Sequence, residues 1–313
     1  MTTRAWFCFF AVSLLWGIPY LFIKIAVDDG VPPAFLAWVR VVLGALILLP
    51  LAWRLGLLGE LRGTGKWLVA YAVLEIAIPW PLISAGEQHV SSSLTAILIA
   101  AVPLIVALLA LRFDHTERVH GSRLAGLLIG FLGVILLVGL DIAGNGDEVI
   151  GAAAILVAAV GYAAAPMIFK RKLADVDARA VMAASLAFCA IALAPLAFAD
   201  LPDSTPSTDA LVSLIVLGVA CTAAALVLFG VLVAEVGAGK ALVITYVAPV
   251  VAVALGVAVL DERPGTGAIA GLLLIIAGSW LSTDGRLPPG LAGAFSRLRT
   301  RRGATAPEPS GPG

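Results

Sequence analysis

Long apolar runs recur along the whole chain. The stretches AILIAAVPLIVALLAL (96–111) and LVSLIVLGVACTAAALVLFGVLV (211–233) contain no charged residue at all. A helix needs about 20 apolar residues to cross the hydrocarbon core of a bilayer, whereas strands of a membrane β-barrel appear as alternating segments of about 10 residues. These runs are too long and too uniform for barrel strands, so they predict transmembrane helices.

The composition agrees with a membrane environment. Of the 313 residues, 61% are hydrophobic and 13% are charged, whereas soluble domains are about half apolar and about a quarter charged. The formal net charge is zero, which argues against nucleic-acid binding because phosphate recognition needs a surplus of Lys and Arg. High apolarity also excludes intrinsic disorder of the whole chain. The expected class is an all-α polytopic membrane protein.

The length fits ten transmembrane helices, because ten helices of about 20 residues with short loops nearly fill the chain. The first apolar run is interpreted as a true span, not a signal peptide, because it continues past 20 residues and carries Lys24. The predicted spans are 5–27, 34–53, 67–86, 92–111, 121–140, 149–169, 180–199, 210–232, 238–259 and 266–283.

The distribution of Lys and Arg predicts the orientation of these spans. Seventeen of these cations fall on one side of the predicted membrane, Lys24 and Arg40 fall inside spans, and the opposite side has only Arg263. Cytoplasmic loops carry the excess of Lys and Arg in membrane proteins. We therefore expect a multi-pass protein of the cell membrane with both termini in the cytoplasm.

An internal repeat divides the chain into two halves. Residues at a separation of 146 match along several spans, and at a separation of 145 AGLLIGFLG (125–133) matches AGLLLIIAG (270–278). Because each unit contains five spans, the second copy must enter the membrane from the opposite side, as in inverted repeats of secondary transporters. The predicted units are 1–141 and 145–283, followed by a disordered basic tail at 284–313. The matches at 146 are Trp16 with Tyr162, Lys24 with Lys170, Val90 with Val236 and Pro103 with Pro249.

Several of these segments resemble a known family. LLWGIPYLFIKIAV and PPAFLAWVRVVLGALILLPL in the first unit, and AEVGAGKALVITYVAPVVAVALGVAVLDERPGTGAIAGLLLIIAGSWL in the second, are similar to EamA-type carriers of the drug/metabolite transporter superfamily. The resemblance covers roughly residues 6–283. It implies ten helices in two inverted EamA-like repeats and movement of small metabolites, often amino acids or related compounds, with export as the favoured direction.

Ionisable residues inside spans are candidates for a binding site, because they are costly in lipid and usually face the bundle interior. Glu75 lies roughly 13 Å into the third predicted span at 1.5 Å per residue. It is interpreted as a ligand of a substrate amine or a proton carrier, with a structural carboxyl as the alternative. Lys24 and Arg40 are candidates for a substrate carboxylate. Alternatively, Lys24 extends to lipid headgroups and Arg40 pairs with an aspartate at 28 or 29.

Aromatic residues and prolines complete the candidate site. Tyr71 is four residues before Glu75, so the two are expected on one helix face. Pro103 and Pro249 occupy equivalent repeat positions and are predicted conformational hinges, since proline removes a helical hydrogen bond. The aromatic residues predicted to line a substrate cavity are Trp16, Tyr20, Tyr71, Trp80, Tyr162 and Tyr246.

The motifs of other function classes are missing from the sequence. It has no GxxxxGK[ST] loop, no HExxH, no GxSxG and no Cys/His cluster, so neither an enzyme, a cofactor nor a metal site is expected. The predicted function is secondary transport of a small metabolite by alternating access within the lipid bilayer. A passive channel or facilitator is the alternative, and a non-transporting interaction protein is disfavoured by the polar groups deep in the spans. Proton coupling and a homodimer are left open.

Overall fold

The computed structural model describes residues 1–113, 122–137, 139, 146–237, 241 and 243–284 of the chain. Within these residues all regular elements are helical. The predicted tail from 285 onward and Lys240 lie outside the described residues. The α-helices are α1 (Thr3–Gly17), α2 (Pro19–Asp28), α3 (Pro33–Arg54), α4 (Gly65–Ala72), α5 (Pro79–Gly86), α6 (Ser92–Ile99), α7 (Val102–Phe113), α8 (Ser122–Leu137), α9 (Gly146–Lys172), α10 (Ala178–Ala192), α11 (Ala194–Ala199), α12 (Thr208–Ile215), α13 (Ala225–Val236), α14 (Ile244–Val259) and α15 (Thr266–Asp284).

Seven helical segments of the described chain are long and apolar enough to cross a membrane, and three further apolar helices are shorter. The shorter ones are Leu124–Leu137, Ile244–Val259 and Thr266–Leu281. The multi-pass helical class predicted from the sequence is therefore confirmed. The seven long segments are Thr3–Asp28, Pro33–Arg54, Gly65–Gly86, Ser92–Ala110, Gly146–Lys172, Ala178–Ala199 and Thr208–Val236.

Five of the long segments are interrupted. The first breaks before Pro19, the fourth between Ile99 and Val102, and the sixth at Leu193 between α10 and α11. The other two contain π-helical turns at Val73–Ala77 and Val216–Ala224, the first closed by the amide of Ile78 donating to the carbonyl of Val73. Short π segments inside helices are frequent at functional sites. These two overlap when the chain is shifted by 146 positions.

The outer surface of the bundle is apolar. Phe7, Leu273 and Ile191 are 67%, 65% and 77% exposed, and similar side chains are exposed on most of the long helices. An apolar surface of this extent is unfavourable in water and is typical of contact with lipid. Polar side chains of the spans consequently face inward, which is where a binding site has to be sought.

Helices α8 and α15 pack against each other through glycine. A β-carbon added at Gly133 would lie 2.9 Å from the carbonyl oxygen of Gly271, and one added at Gly278 would lie 2.6 Å from that of Gly126. Only glycine allows backbones to approach this closely. Gly133 near the end of α8 contacts Gly271 near the start of α15, and Gly278 near the end of α15 contacts Gly126 near the start of α8. The two helices therefore run antiparallel.

A polar contact outside the spans joins the loop after α3 to the start of α10. The Glu60 carboxylate accepts a hydrogen bond from the amide of Asp177 at 2.8 Å. Asp177 is the N-cap of α10 and accepts from the Arg179 amide. The hydrogen bond donated by the Arg179 side chain holds the pKa of the Asp177 carboxyl below its usual value. The charged cap is therefore retained at neutral pH.

Candidate functional site

A cavity of about 290 Å³ lies among the long helices. This volume is at the lower end of the range for small-molecule sites, roughly 300–1,000 Å³, and suits one small metabolite. Most of its wall is apolar, and its charged residues are Arg40 and Glu75. The complete lining is Trp16, Pro19, Tyr20, Ile23, Arg40, Glu75, Ile76, Trp80, Ile83, Ile99, Ala100, Val102, Pro103, Tyr162, Met182, Cys221, Thr222, Leu226, Thr245, Ala248 and Pro249.

The lining reflects the internal repeat of the sequence. Fourteen of its residues form seven pairs separated by 146 positions. Equivalent positions of the two halves thus face the same space from opposite sides. The pairs are Trp16 with Tyr162, Glu75 with Cys221, Ile76 with Thr222, Trp80 with Leu226, Ile99 with Thr245, Val102 with Ala248 and Pro103 with Pro249.

Arg40 projects from α3 and is fixed by two neighbours. Its Nε donates a hydrogen bond to Oγ1 of Thr222 at 3.0 Å, and its guanidinium carbon lies 3.8 Å from the centre of the Trp80 ring. Thr222 in turn donates to the carbonyl of Leu217 at 2.8 Å, five residues earlier in the π-helical turn. Guanidinium stacked on an aromatic face is electrostatically favourable, and its terminal nitrogens match the geometry of a carboxylate.

Glu75 lies in the π-helical turn of the third long segment. One of its carboxylate oxygens is buried and has no hydrogen-bond partner. Neither Glu75 nor Arg40 belongs to an ion pair in the described part of the chain. The cavity therefore contains one carboxyl group and one guanidinium group that form no ion pair with each other, an arrangement that suits a molecule carrying both an ammonium group and a carboxylate.

Aromatic rings form much of the remaining wall. Trp16 packs on Phe229 with ring centres 4.8 Å apart, which holds the indole against the eighth predicted span. Tyr20 and Tyr162 each lie partly buried within the same apolar cluster. Together with Trp80, these rings provide flat apolar surfaces beside the two charges, as sites for amphipathic ligands do.

Three predicted site residues are not among the lining residues. Lys24 forms an ion pair with Asp28 at 2.9 Å. Tyr71 is buried against Phe169, with ring centres 5.8 Å apart. Tyr246 contacts the ring of Trp280 at 5.6 Å.

The two predicted hinge prolines both line the cavity but differ in backbone. Pro103 follows a break between α6 and α7, whereas Pro249 lies inside the continuous helix α14. Pro19, which breaks the first long segment and also lines the cavity, was missed by the sequence reasoning although WGIPY contains its signal. Thr222 was missed as well, because a hydroxyl in an apolar run gives no signal except its repeat partner.

An all-helical bundle with an apolar surface and an inner cavity for one small molecule defines a polytopic membrane protein that handles solutes. The chain belongs to the EamA-like transporter family, whose model matches residues 3–139 and again residues 149–283. The family indicates a transporter rather than an enzyme. Among the described residues, no three His, Cys, Asp or Glu side chains are grouped as metal ligands would be.

Curated relatives of similar length are transporters by name. An uncharacterized transporter of Bacillus subtilis (strain 168), YoaV, is 25% identical over 281 residues, which cover 87% of this chain and 94% of that protein. A probable amino-acid metabolite efflux pump of Escherichia coli (strain K12) is 24% identical over 285 residues, covering 88% of this chain and 93% of that protein. These similarities agree with the family assignment.

A solved crystal structure is also similar to this chain. It superimposes with a TM-score of 0.63 at 20% sequence identity, covering 90% of this chain and 97% of that chain. At this identity the likeness shows the fold alone. The fold is therefore one that has been observed experimentally over nearly the full length of a comparable protein.

Proposed function

We propose that this protein is a secondary transporter that exports a small zwitterionic metabolite of the amino-acid type by alternating access, driven by proton movement. One observation carries the proposal: Arg40 and Glu75 line a single, mostly apolar cavity and are not paired with each other. Arg40 binds the substrate carboxylate and Glu75 binds the substrate ammonium group. Trp16, Trp80, Tyr20 and Tyr162 contact the apolar part.

The architecture that we propose is ten spans in two inverted repeats of five. The glycine contacts of α8 and α15 support it, because a shift of 145 converts the pair Gly133 and Gly271 into Gly278 and Gly126. Such an exchange is what a two-fold axis produces. The helix packing has the same two-fold relation. Helix α1 contacts α13 and α14, and its repeat equivalent α9 contacts α5 and α7, which are the repeat equivalents of α13 and α14.

The unpaired lining residues support alternating access. Seven lining residues have equivalents at a separation of 146 that do not line the cavity. With both termini in the cytoplasm of a cell membrane, as the Lys and Arg distribution predicts, five of them belong to the outer half of their spans, Ala100 is near the midplane and Met182 is in the inner half. The cavity then lies mainly from the midplane outward, and exchanging the roles of the halves would open it inward. The five outer residues are Pro19, Tyr20, Ile23, Arg40 and Ile83.

Export and the amino-acid class are supported by the relatives. The Escherichia coli protein is named a probable amino-acid metabolite efflux pump and matches this chain along almost all of its length. The Arg40 guanidinium and the Glu75 carboxyl of the cavity fit the same class of compound. Since these two groups bind the α-carboxyl and α-amino groups in this proposal and the remaining wall is mostly apolar, we expect the substrate side chain to be recognised mainly by size and apolarity.

The direct test is uptake into proteoliposomes containing the purified full chain. Radiolabelled amino acids, amines and nucleosides are supplied with and without a pH gradient, and counterflow is measured with unlabelled compound inside. We expect saturable counterflow of apolar amino acids. If no small solute moves in either format, the transport proposal is wrong, and flux without saturation or counterflow would instead indicate a passive facilitator.

Replacing Glu75 by glutamine tests its role at the substrate ammonium. Removing one member of a buried charged contact costs roughly 2–5 kcal/mol, so we expect counterflow of L-leucine to need at least about 30-fold more substrate. The matching α-hydroxy acid, which lacks the ammonium group, should lose much less. Substrate concentration dependence is measured for both compounds.

The control for Glu75→Gln is Glu60→Gln. Glu60 is an exposed carboxylate outside the spans whose contact is the amide of Asp177, and an amide oxygen can accept the same hydrogen bond. Transport by the control should equal that of the unaltered protein. Equal losses for the amino acid and the hydroxy acid in Glu75→Gln would contradict a direct contact with the ammonium group.

A further inference from the structure

A second buried carboxyl lies outside the cavity lining. Glu87 directly follows α5 and is fully buried, and neither of its carboxylate oxygens has a hydrogen-bond partner. An ionised carboxylate without a partner is very costly away from water, so a group in such a place holds its proton. Nothing in the proposed recognition of substrate uses this carboxyl.

Glu87 is one helical turn beyond the outer end of the cavity. Ile83 lines the cavity, and Glu87 is four residues later, with its amide bonded to the Ile83 carbonyl at 2.9 Å. On the facing helix α2, Tyr20 lines the cavity and Lys24 is four residues later. Residues four apart in a helix share a face, so Glu87 and Lys24 continue the two walls outward.

Lys24 connects Glu87 to the aqueous surface. Its ammonium donates a hydrogen bond to the backbone carbonyl of Glu87 at 2.9 Å and forms an ion pair with Asp28 at 2.9 Å. An ammonium group has three N–H donors, so one remains to receive a carboxylate. The side chain of Asp28 is 55% exposed and that of Lys24 is 19% exposed, which defines a polar route from water to the buried carboxyl.

The other charges around Glu87 are already engaged. Glu262, which follows α14, accepts hydrogen bonds from the amides of Ser92 and Ser93 at 2.7 and 3.0 Å and also from the Ser93 hydroxyl. Helix α9, which also packs on α5, has Asp147 and Glu148 in its first turn. The charged groups that do act on it are Lys24, Glu262, Asp28 and Arg40, and Tyr20 also interacts with it.

We propose that Glu87 is a proton-binding site that carries one proton through the transport cycle. The Glu87 carboxyl gives its proton to water that enters from the outer surface beside the exposed Asp28. Lys24 keeps all three of its own protons, and its free N–H then donates to the resulting Glu87 carboxylate. Because Glu87 and Lys24 each lie one helical turn beyond a cavity-lining residue, Ile83 and Tyr20 respectively, and are joined by a hydrogen bond, we expect the charge state of Glu87 to be linked to the occupation of the cavity. This inference rests on the proposed transport function and assigns coupling to Glu87 instead of Glu75.

A spectroscopic experiment tests the proton site without any substrate. Infrared difference spectra of the purified full chain in liposomes are recorded between acidic and alkaline pH. Among the protonated-carboxyl bands that titrate, we expect one that is present in the unaltered protein and in Glu75→Gln, is lost in Glu87→Gln and is restored in Glu87→Asp. If Glu87→Gln has the same titrating bands as the unaltered protein, the inference is wrong.

A transport experiment tests the coupling itself, with L-leucine as the probe. One proton per substrate makes a gradient of one pH unit shift the steady-state distribution of substrate about tenfold. We expect this shift in the unaltered protein, in Glu60→Gln and in Glu87→Asp. Glu87→Gln should retain counterflow, which also shows that it folds, but should give no shift.

The outcomes separate the two proposals. A tenfold shift that persists in Glu87→Gln overturns the inference while leaving the transporter intact. A protein that moves no L-leucine at all overturns the proposed function for this substrate, and the infrared comparison then decides by itself whether Glu87 binds the proton.

Discussion

Replacing Arg40 by glutamine is expected to raise the concentration of L-leucine needed for half-maximal counterflow by at least about 30-fold. The guanidinium is held by Thr222 and the Trp80 ring, so its orientation is set before substrate binds. The substitution leaves the substrate carboxylate without a cationic partner in a mostly apolar cavity. Leucinol, which has the ammonium group but no carboxylate, should be affected much less, and the concentration dependence of both compounds is the measurement.

The lysine variant distinguishes charge from geometry. Arg40→Lys keeps the positive charge but loses the planar fork and its Nε hydrogen bond to Thr222, so an intermediate loss of roughly tenfold is expected. Arg54→Gln is the matched control, because Arg54 is exposed at the end of α3. A lysine variant with unchanged transport would contradict bidentate recognition of a carboxylate.

The sequence predicted the class of the fold well because the constraint is strong. Twenty apolar residues in a row have few alternatives in water or lipid, so the long helices follow from hydropathy alone. The interruptions are less accessible. Proline indicates the breaks near 19 and 103. The π-helical turns at Val73–Ala77 and Val216–Ala224 lie in segments that are apolar apart from Glu75 and Thr222, so the apolar pattern does not reveal where the helical periodicity changes.

The residues of the candidate site were partly predictable for the same reason. Arg40 and Glu75 are ionisable groups inside spans and lie in one cavity, as the cost of charge in lipid leads one to expect. Tyr71 shows the limit of the method, since it lies four residues before Glu75 but is buried against Phe169 and is not among the lining residues. For Lys24, the i,i+4 position of Asp28 was a readable signal of the ion pair that the structure contains.

The repeat contributed information that single residues could not. Thr222 is an inconspicuous hydroxyl in an apolar run, yet the shift of 146 relates it to Ile76 beside Glu75, and both residues line the cavity. Pairing positions across the repeat therefore predicts uncharged lining residues that hydropathy overlooks. It fails where the halves differ, as at Arg40, whose equivalent Leu186 is fully buried.

Replacing Gly278 by alanine is expected to destabilise the protein by about 1–3 kcal/mol or more, the usual cost of overpacking. The added β-carbon would meet the backbone of Gly130 and the carbonyl of Gly126, and backbone atoms cannot turn aside as a flexible side chain can. The midpoint of thermal unfolding in detergent, followed by size-exclusion chromatography after heating, measures the effect. Gly230→Ala is the control, since no atom lies within 4 Å of its added β-carbon and alanine favours the helix.

The equivalent variant at Gly133 tests whether the Gly133–Gly271 contact and the Gly278–Gly126 contact belong to one rigid interface between α8 and α15. Its β-carbon would press on the carbonyl of Gly271, so Gly133→Ala should lower the unfolding midpoint about as much as Gly278→Ala. If α8 and α15 are rigid, either methyl group forces the whole pair of helices apart, and the second methyl group then needs little further separation. The unfolding midpoint of the double variant should therefore fall by less than the sum of the two single decreases. Fully additive decreases in the unfolding midpoint would mean that the two glycine contacts adjust independently, which argues against α8 and α15 as a rigid pair.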